Sequence, residues 1–212
     1  MDYRQTIEWL QQRLQQPLPG FSAQENMIGR VVPMPHTVPH NARQSAVLIL
    51  LFPVADVPHI LLMKRKEDSG AHSGQVSFPG GSADPTDKDM MFTALREAEE
   101  EVGVTANDIT IIGGLTNLYI PVSNFNVHPY IGYMDTNPEY ILSHNEVAHV
   151  IEVPVHYFLN DDYKTLTDVV SPAVPGVIRQ VRAYKLKDGT IIWGATAMIL
   201  AELEAILKER FA

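Results

Sequence analysis

The stretch Leu95-Arg96-Glu97-Ala98-Glu99-Glu100-Glu101-Val102-Gly103-Val104 crowds four glutamates into five positions. In a helix, at about 100° per residue, Glu97, Glu100 and Glu101 fall within roughly a 100° arc of one face. Met91, Ala94, Leu95, Ala98 and Val102 occupy a different arc, suited to a core. Three carboxylates so close repel one another unless a cation neutralises them. Hard divalent ions take oxygen ligands, and Mg²⁺ typically shares carboxylates with substrate phosphates. Arg96 could steady the acid beside it or the loop that follows. A bare acidic run also describes a solvated helix face. What separates the two readings is the surroundings: a glycine-rich turn, Phe78-Pro79-Gly80-Gly81, lies one loop upstream, and Gly103 follows the acids directly. That pattern is a loop–helix–loop with carboxylates aimed into a cleft.

The elements that must hold this helix can be read around it. Apolar spacing at Ile7, Leu10 and Leu14 predicts an amphipathic helix over residues 2–16. A loop rich in proline and glycine (Pro17 to Pro39) would wrap the domain. The near-continuous apolar run 45–52 reads as a central strand, turned at Pro53–Pro58 into a hairpin partner over 59–65. Residues 77–81 should end a short strand in a glycine turn. The acidic loop 82–89 then leads to a helix from about Met90 to Val102, stopped by Gly103. Further strands are expected at 109–115, 127–134, 147–153 and 177–186, and a last helix over 196–211. Strands interleaved with a few helices imply an α/β fold. We expect one domain overall, with residues 1–40 as N-terminal helix and wrapping loop and 41–212 as the catalytic unit.

Bulk composition narrows the chemistry. The 212 residues, 45% of them hydrophobic, suffice for one well-buried domain. A formal charge of −9 argues against nucleic acid or an anionic membrane as partner. The absence of cysteine excludes disulfides, thiolate catalysis and sulfur-ligated metals. The polar start and the lack of an apolar run near the roughly 18 residues of a membrane helix lead us to expect a cytoplasmic protein.

Segment 81–104 resembles the Nudix box, G-x5-E-x7-R-E-U-x-E-E-x-G-U with U apolar. Gly81 matches its opening, and Arg96, Glu97, Ala98, Glu100, Glu101, Gly103 and Val104 match its closing half. Asp87 stands where the first glutamate belongs, and one extra residue separates it from Arg96, which leaves its role open. The resemblance implies a Nudix-type α/β/α sandwich with a mixed β-sheet, here with an N-terminal helical extension. It also implies Mg²⁺ or Mn²⁺ held by Glu97, Glu100 and Glu101, catalysis that draws on Glu100, and Arg96 orienting the carboxylates.

Residues 61–81 are similar to the longer signature of the coenzyme A pyrophosphatase branch. Leu61, Leu62, Arg65, Gly74, Phe78, Pro79, Gly80 and Gly81 match in register. Met63, Lys66 and Gly70 depart from it, and Gly70 replaces an arginine that could meet substrate phosphates. Residues 119–133 and 193–200 resemble that branch as well, so the likeness runs from about 45 to 205. On this reading Arg65, Gly80, Gly81, His72 and Phe125 contact substrate. Trp193 and Met198 read as core. Nudix enzymes usually take a further acid from a distant loop, and Glu146 is favoured over Glu152.

Two decoys fall away. His144 and His149 lack the spacing of H-E-x-x-H, and no P-loop motif is present. The expected activity is hydrolysis of the diphosphate in coenzyme A or its thioesters, a small-molecule nucleotide substrate. Two alternatives stay open: a Nudix hydrolase for ADP-ribose or dinucleotides, and a Nudix domain that binds a nucleotide without cleaving it. The resemblance also leaves room for a homodimer.

Overall fold

The computed structural model describes residues 1–28, 37–67, 74–170 and 177–211. In chain order its elements are α1 (Tyr3–Arg13), α2 (Phe21–Gln24), β1 (Arg43–Val54), β2 (Val57–Arg65), β3 (Val76–Ser77), β4 (Gly80–Ser82), α3 (Met90–Val102), β5 (Thr110–Gly114), β6 (Leu118–Ile120), β7 (Phe125–Tyr133), β8 (Val147–Pro154), β9 (Lys164–Val170), β10 (Ile178–Lys185), β11 (Ile191–Trp193) and α4 (Gly194–Phe211).

Strand β1 organises the core because both of its faces are buried. Side chains alternate along a strand, so Ala46, Leu48, Leu50 and Phe52 turn one way, against Ala94, Ala98 and Val102 of α3. Ile49 and Leu51 turn the other way and share a cluster with Ile7 and Leu10 of α1 and with Ile199, Leu203 and Ile206 of α4. Helices therefore cover both faces of the sheet, the α/β/α sandwich expected from the sequence. The sheet is mixed: β1 runs antiparallel to β2 and β4 and parallel to β7. Its main path is β3-β2-β1-β7-β5, with β8 on β2 and β6 on β7. Strands β9, β10 and β11 make a second, antiparallel sheet.

Several expectations are corrected in detail. The hairpin after β1 turns on two residues, Ala55 and Asp56, with φ of 49° and 65°. Such turns match the twist of paired strands, so Pro53 and Pro58 sit opposite each other inside the hairpin. Gly80 and Gly81 are not merely a turn: they form β4 and pair with Val47 and Ala46 of β1. The first helix is shorter than expected, running from the cap at Asp2, whose carboxylate accepts the Gln5 N–H at 2.9 Å, to Arg13. Strands β6, β9 and β11 were not foreseen. Met198 is buried, whereas Trp193 is only partly so. No helix among the described residues is long and apolar enough to cross a membrane.

One buried acid ties the N-terminal segment to the sandwich. Glu202 of α4 is fully buried, and its carboxyl accepts four hydrogen bonds. They come from the Gly20 N–H (3.0 Å), the Gln24 amide (2.8 Å), the Thr116 N–H (3.1 Å) and the Thr116 hydroxyl (2.7 Å). Removing the acceptor leaves four donors without their partner, the Gln24 amide among them in a buried position. Glu202→Ala should therefore cost about 3 kcal/mol of stability, read as a lower denaturation midpoint with an unchanged m-value.

Candidate active site

Helix α3 starts at Asp89, whose carboxylate caps the Phe92 N–H at 2.7 Å, and ends at Gly103 with φ 77°. Glycine takes that left-handed conformation without strain, and here it has a second reason. A side-chain carbon at Gly103 would lie 2.6 Å from the Ile141 side chain. The close approach lets the loop after Tyr140 cover the helix end. The Ile141 N–H donates to the Val102 carbonyl at 3.0 Å, and the Ser143 N–H to the Glu101 carbonyl at 2.8 Å. Carbonyls that the helix leaves unpaired are satisfied in this way. The same loop delivers Glu146, whose own carbonyl accepts the Lys66 N–H at 2.9 Å.

Strand β4 brings the glycine pair onto the acids. The Gly80 N–H donates to Glu101 Oε2 at 2.8 Å, and Arg65 Nη1 on β2 reaches Oε1 at 3.3 Å. Gly81 must lack a side chain, because an added carbon would meet the Glu97 carboxyl at 2.4 Å. Burial pushes the Glu101 carboxyl up to about 7, with Glu97 and Glu146 adding repulsion against the opposing pull of Gly80 and Arg65. Glu97 is raised too, chiefly by burial, with Arg96 drawing it back.

Arg96 sits at the hub of the acids. Its Nε and Nη2 grip Asp87 at 2.9 and 3.0 Å, and Nη2 also donates to the Ser82 carbonyl at 3.1 Å. Its Nη1 lies 3.0 Å from both Glu97 and Glu100. Asp87 further accepts the Thr93 hydroxyl at 2.8 Å and the Asp84 N–H at 2.9 Å. The guanidinium of Arg96, above all, holds the Asp87 carboxyl far below the usual carboxylate range. Despite the extra residue between them, the aspartate reaches the arginine with both oxygens. Sequence reasoning left Asp87 without a role, and the structure places it as the anchor of Arg96.

Glu97, Glu101, Glu146, Arg65, Gly80, Gly81 and Phe125 all line one cleft of about 630 Å³. Glu100 is not among its lining residues; its side chain is 59% exposed and turned to Arg96. His72 lies outside the described residues. Trp193, expected in the core, forms part of the cleft wall. A larger cavity, about 1310 Å³, lies beyond the β9–β10 hairpin. Its acid, Glu204, is already held by Lys164, Lys208 and the Tyr184 hydroxyl, so the chemistry belongs to the smaller cleft. Among the described residues, no three His, Asp or Glu side chains are gathered closely enough to hold a metal ion as they stand. The donor set nevertheless suits one. Burial and mutual repulsion leave Glu97 and Glu101 short of positive charge, and carboxylate oxygens are what hard divalent cations take.

A mixed sheet between helices, with a glycine-flanked glutamate helix opening on a cleft, is an arrangement compatible with a hydrolase that cleaves phosphoanhydrides. The comparisons with known proteins agree. A family model, the NUDIX domain, matches residues 42–173. The Nudix hydrolase NudL of Pectobacterium atrosepticum is 34% identical over 172 residues, covering 81% of this chain and 86% of that protein. NudL of Yersinia pestis is 35% identical over 76% of this chain and 78% of its own. Among solved structures, the MutT/nudix family protein of Enterococcus faecalis shares the fold with a TM-score of 0.51 at 15% identity, covering 84% of this chain and 66% of that one. The chain belongs to the Nudix family and is a Nudix hydrolase of nucleoside-diphosphate derivatives.

The clamp on Arg96 yields a test with a definite sign in pH. Asp87 titrates lower when folded than when unfolded, so its contribution is full above about pH 4 and fades as pH falls. Asp87→Asn should lower stability by about 2 kcal/mol at pH 7. The gap to wild type should narrow below about pH 4 in denaturation curves.

Proposed function

We propose that this hydrolase cleaves the diphosphate of coenzyme A or its thioesters with Mg²⁺ or Mn²⁺, releasing 3′,5′-ADP and phosphopantetheine or acyl-phosphopantetheine. The observation that carries the reading is the convergence of Glu97, Glu101 and Glu146 with Arg65 and the glycine pair in one cleft. The likeness of residues 61–81 to the coenzyme A pyrophosphatase signature supports the substrate, since Arg65, Gly80 and Gly81 of that signature lie on the cleft itself. Its other walls are largely apolar, among them Val47, Phe78, Ile120 and Trp193, and would suit the non-phosphate parts of such a molecule.

Glu97, Glu100 and Glu101 would hold the cation, with Glu97 and Glu100 leaving Arg96 to do so. A divalent ion bound there supplies charge neutralisation for the diphosphate and a more acidic water. Arg65 and the Gly80 N–H keep the Glu101 carboxyl in place, and Arg96, braced by Asp87, fixes the helix face from which the acids project. Glu146, set by its loop against the end of α3, would take the proton from the attacking water. The cleft walls would exclude bulk water from the broken bond.

Incubation with coenzyme A and Mg²⁺ or Mn²⁺, beside ADP-ribose and NADH, followed by chromatography, should show 3′,5′-ADP from coenzyme A. Cleavage of ADP-ribose or NADH in its place would discard the substrate while keeping the site. Glu101→Gln and Glu146→Gln should each lower kcat by about 100-fold or more while circular dichroism shows an unaltered fold. A near-normal rate in either would remove that residue from the mechanism.

A further inference from the structure

The cleft has a second cation, and nothing in the phosphoanhydride chemistry uses it. Among the described residues, Arg65 and Arg179 are the cations that line it. Arg65 is committed to Glu101 at 3.3 Å. Arg179, on β10, has no hydrogen bond or ion pair among the described residues, although the chain carries 25 acids against 16 basic residues. Strand alternation puts Arg179, Val181 and Ala183 on one face. Ala183 pairs with Trp193 of β11, and Arg179 pairs with Val169 of β9. Val169, Val181 and Trp193 all line the cleft, so the alternation puts Arg179 on the cleft side of β10, at a position from which it also borders the larger cavity. The opposite face carries Arg182, which donates to the Asn26 carbonyl at 2.9 Å over the larger cavity.

A partly exposed arginine without a partner among the described residues, set beside valines and a tryptophan, can take an anion. Its planar fork matches a phosphate with two donors. The anion cannot be the scissile diphosphate, whose charge belongs with the glutamates and their cation. We infer that Arg179 binds a phosphate monoester carried by the nucleotide outside the cleaved diphosphate, and so selects 3′-phosphorylated substrates. The inference rests on the coenzyme A reading and sharpens it: the 3′-phosphate of coenzyme A is such a group, and dephospho-coenzyme A differs only in lacking it. Trp193, on the same wall, offers a flat face beside which a base can stack. The arginine lost at position 70 from the resembled signature thus has a counterpart on a strand far away in sequence.

The test compares coenzyme A with dephospho-coenzyme A. In wild type, kcat/KM should favour coenzyme A. In Arg179→Ala that preference should fall by about tenfold or more, the strength of a charge-assisted hydrogen bond to phosphate. Arg179→Lys should keep part of the preference, because a point charge survives without the fork. Calorimetric titration with 3′,5′-ADP and with 5′-AMP reads the same contact without turnover. Wild type should prefer 3′,5′-ADP, and Arg179→Ala should lose that preference, with thermal melting verifying that it is folded. A wild type that cleaves both coenzymes equally, or an Arg179→Ala variant that keeps the full preference, overturns the role of Arg179 and leaves the coenzyme A reading standing. A wild type that cleaves neither coenzyme overturns both.

Discussion

Placing Glu97, Glu101 and Glu146 around one cleft is unfavourable unless something offsets their repulsion, and most of the architecture can be traced to that constraint. Two kinds of partner do the work. Backbone and cation contacts fix Glu101 from below, through the Gly80 N–H and Arg65. Arg96 holds Glu97 and Glu100 from the side and is itself held by both oxygens of Asp87. The glycines follow from the same crowding: Gly81 leaves room for the Glu97 carboxyl, and Gly103 leaves room for the loop that brings Glu146. The compensation is partial, since burial still lifts Glu97 and Glu101 above their ordinary range. That residual deficit of positive charge is the physical basis for a divalent cation.

The scaffold keeps these groups in place by packing. Ala94 and Ala98 are fully buried, small enough to let α3 approach β1 closely, and β1 in turn carries β4 on its edge. Helix, glycine strand and the β2 strand bearing Arg65 therefore meet through one buried strand. On the other face of the sheet, α4 supplies apolar cover with Leu203 and Ile206 and, through Glu202, ties down the N-terminal segment. The acids are thus held by elements with little freedom to move, which suits a site whose carboxylates must stay close.

The parts legible in the sequence are those whose signal is local. Helix α3 has a 3.6-residue apolar period and a glycine stop, and was read to the residue; β1 is a continuous apolar run, and its expected span fell two residues short at each end. The hairpin turn was expected over the whole Pro53–Pro58 segment, whereas it is confined to Ala55 and Asp56 at its centre, which carry the positive φ. Strand β9 escaped because every residue in it stays at least partly exposed, leaving no apolar signature. In the site, the glutamates and the Gly80-Gly81 pair stood out through their spacing, and Arg65 through the resembled signature. The pairing of Asp87 with Arg96, the four-fold acceptor role of Glu202 and the place of Arg179 depend on contacts between distant segments. No local pattern encodes them. The acid ligand that the sequence placed on equal footing, Glu100, is not among the residues lining the cleft and faces Arg96, because its position on the helix turns it toward the arginine one turn earlier.

The central claim is that the glutamate cleft is a divalent-cation site, and crystals soaked in Mn²⁺ test it directly through anomalous scattering. The account predicts a peak among Glu97, Glu100 and Glu101, with Glu97 and Glu100 turned away from Arg96, and its loss in Glu101→Gln. A cleft without Mn²⁺ at saturating concentration, with Arg96 still holding both acids, would contradict it.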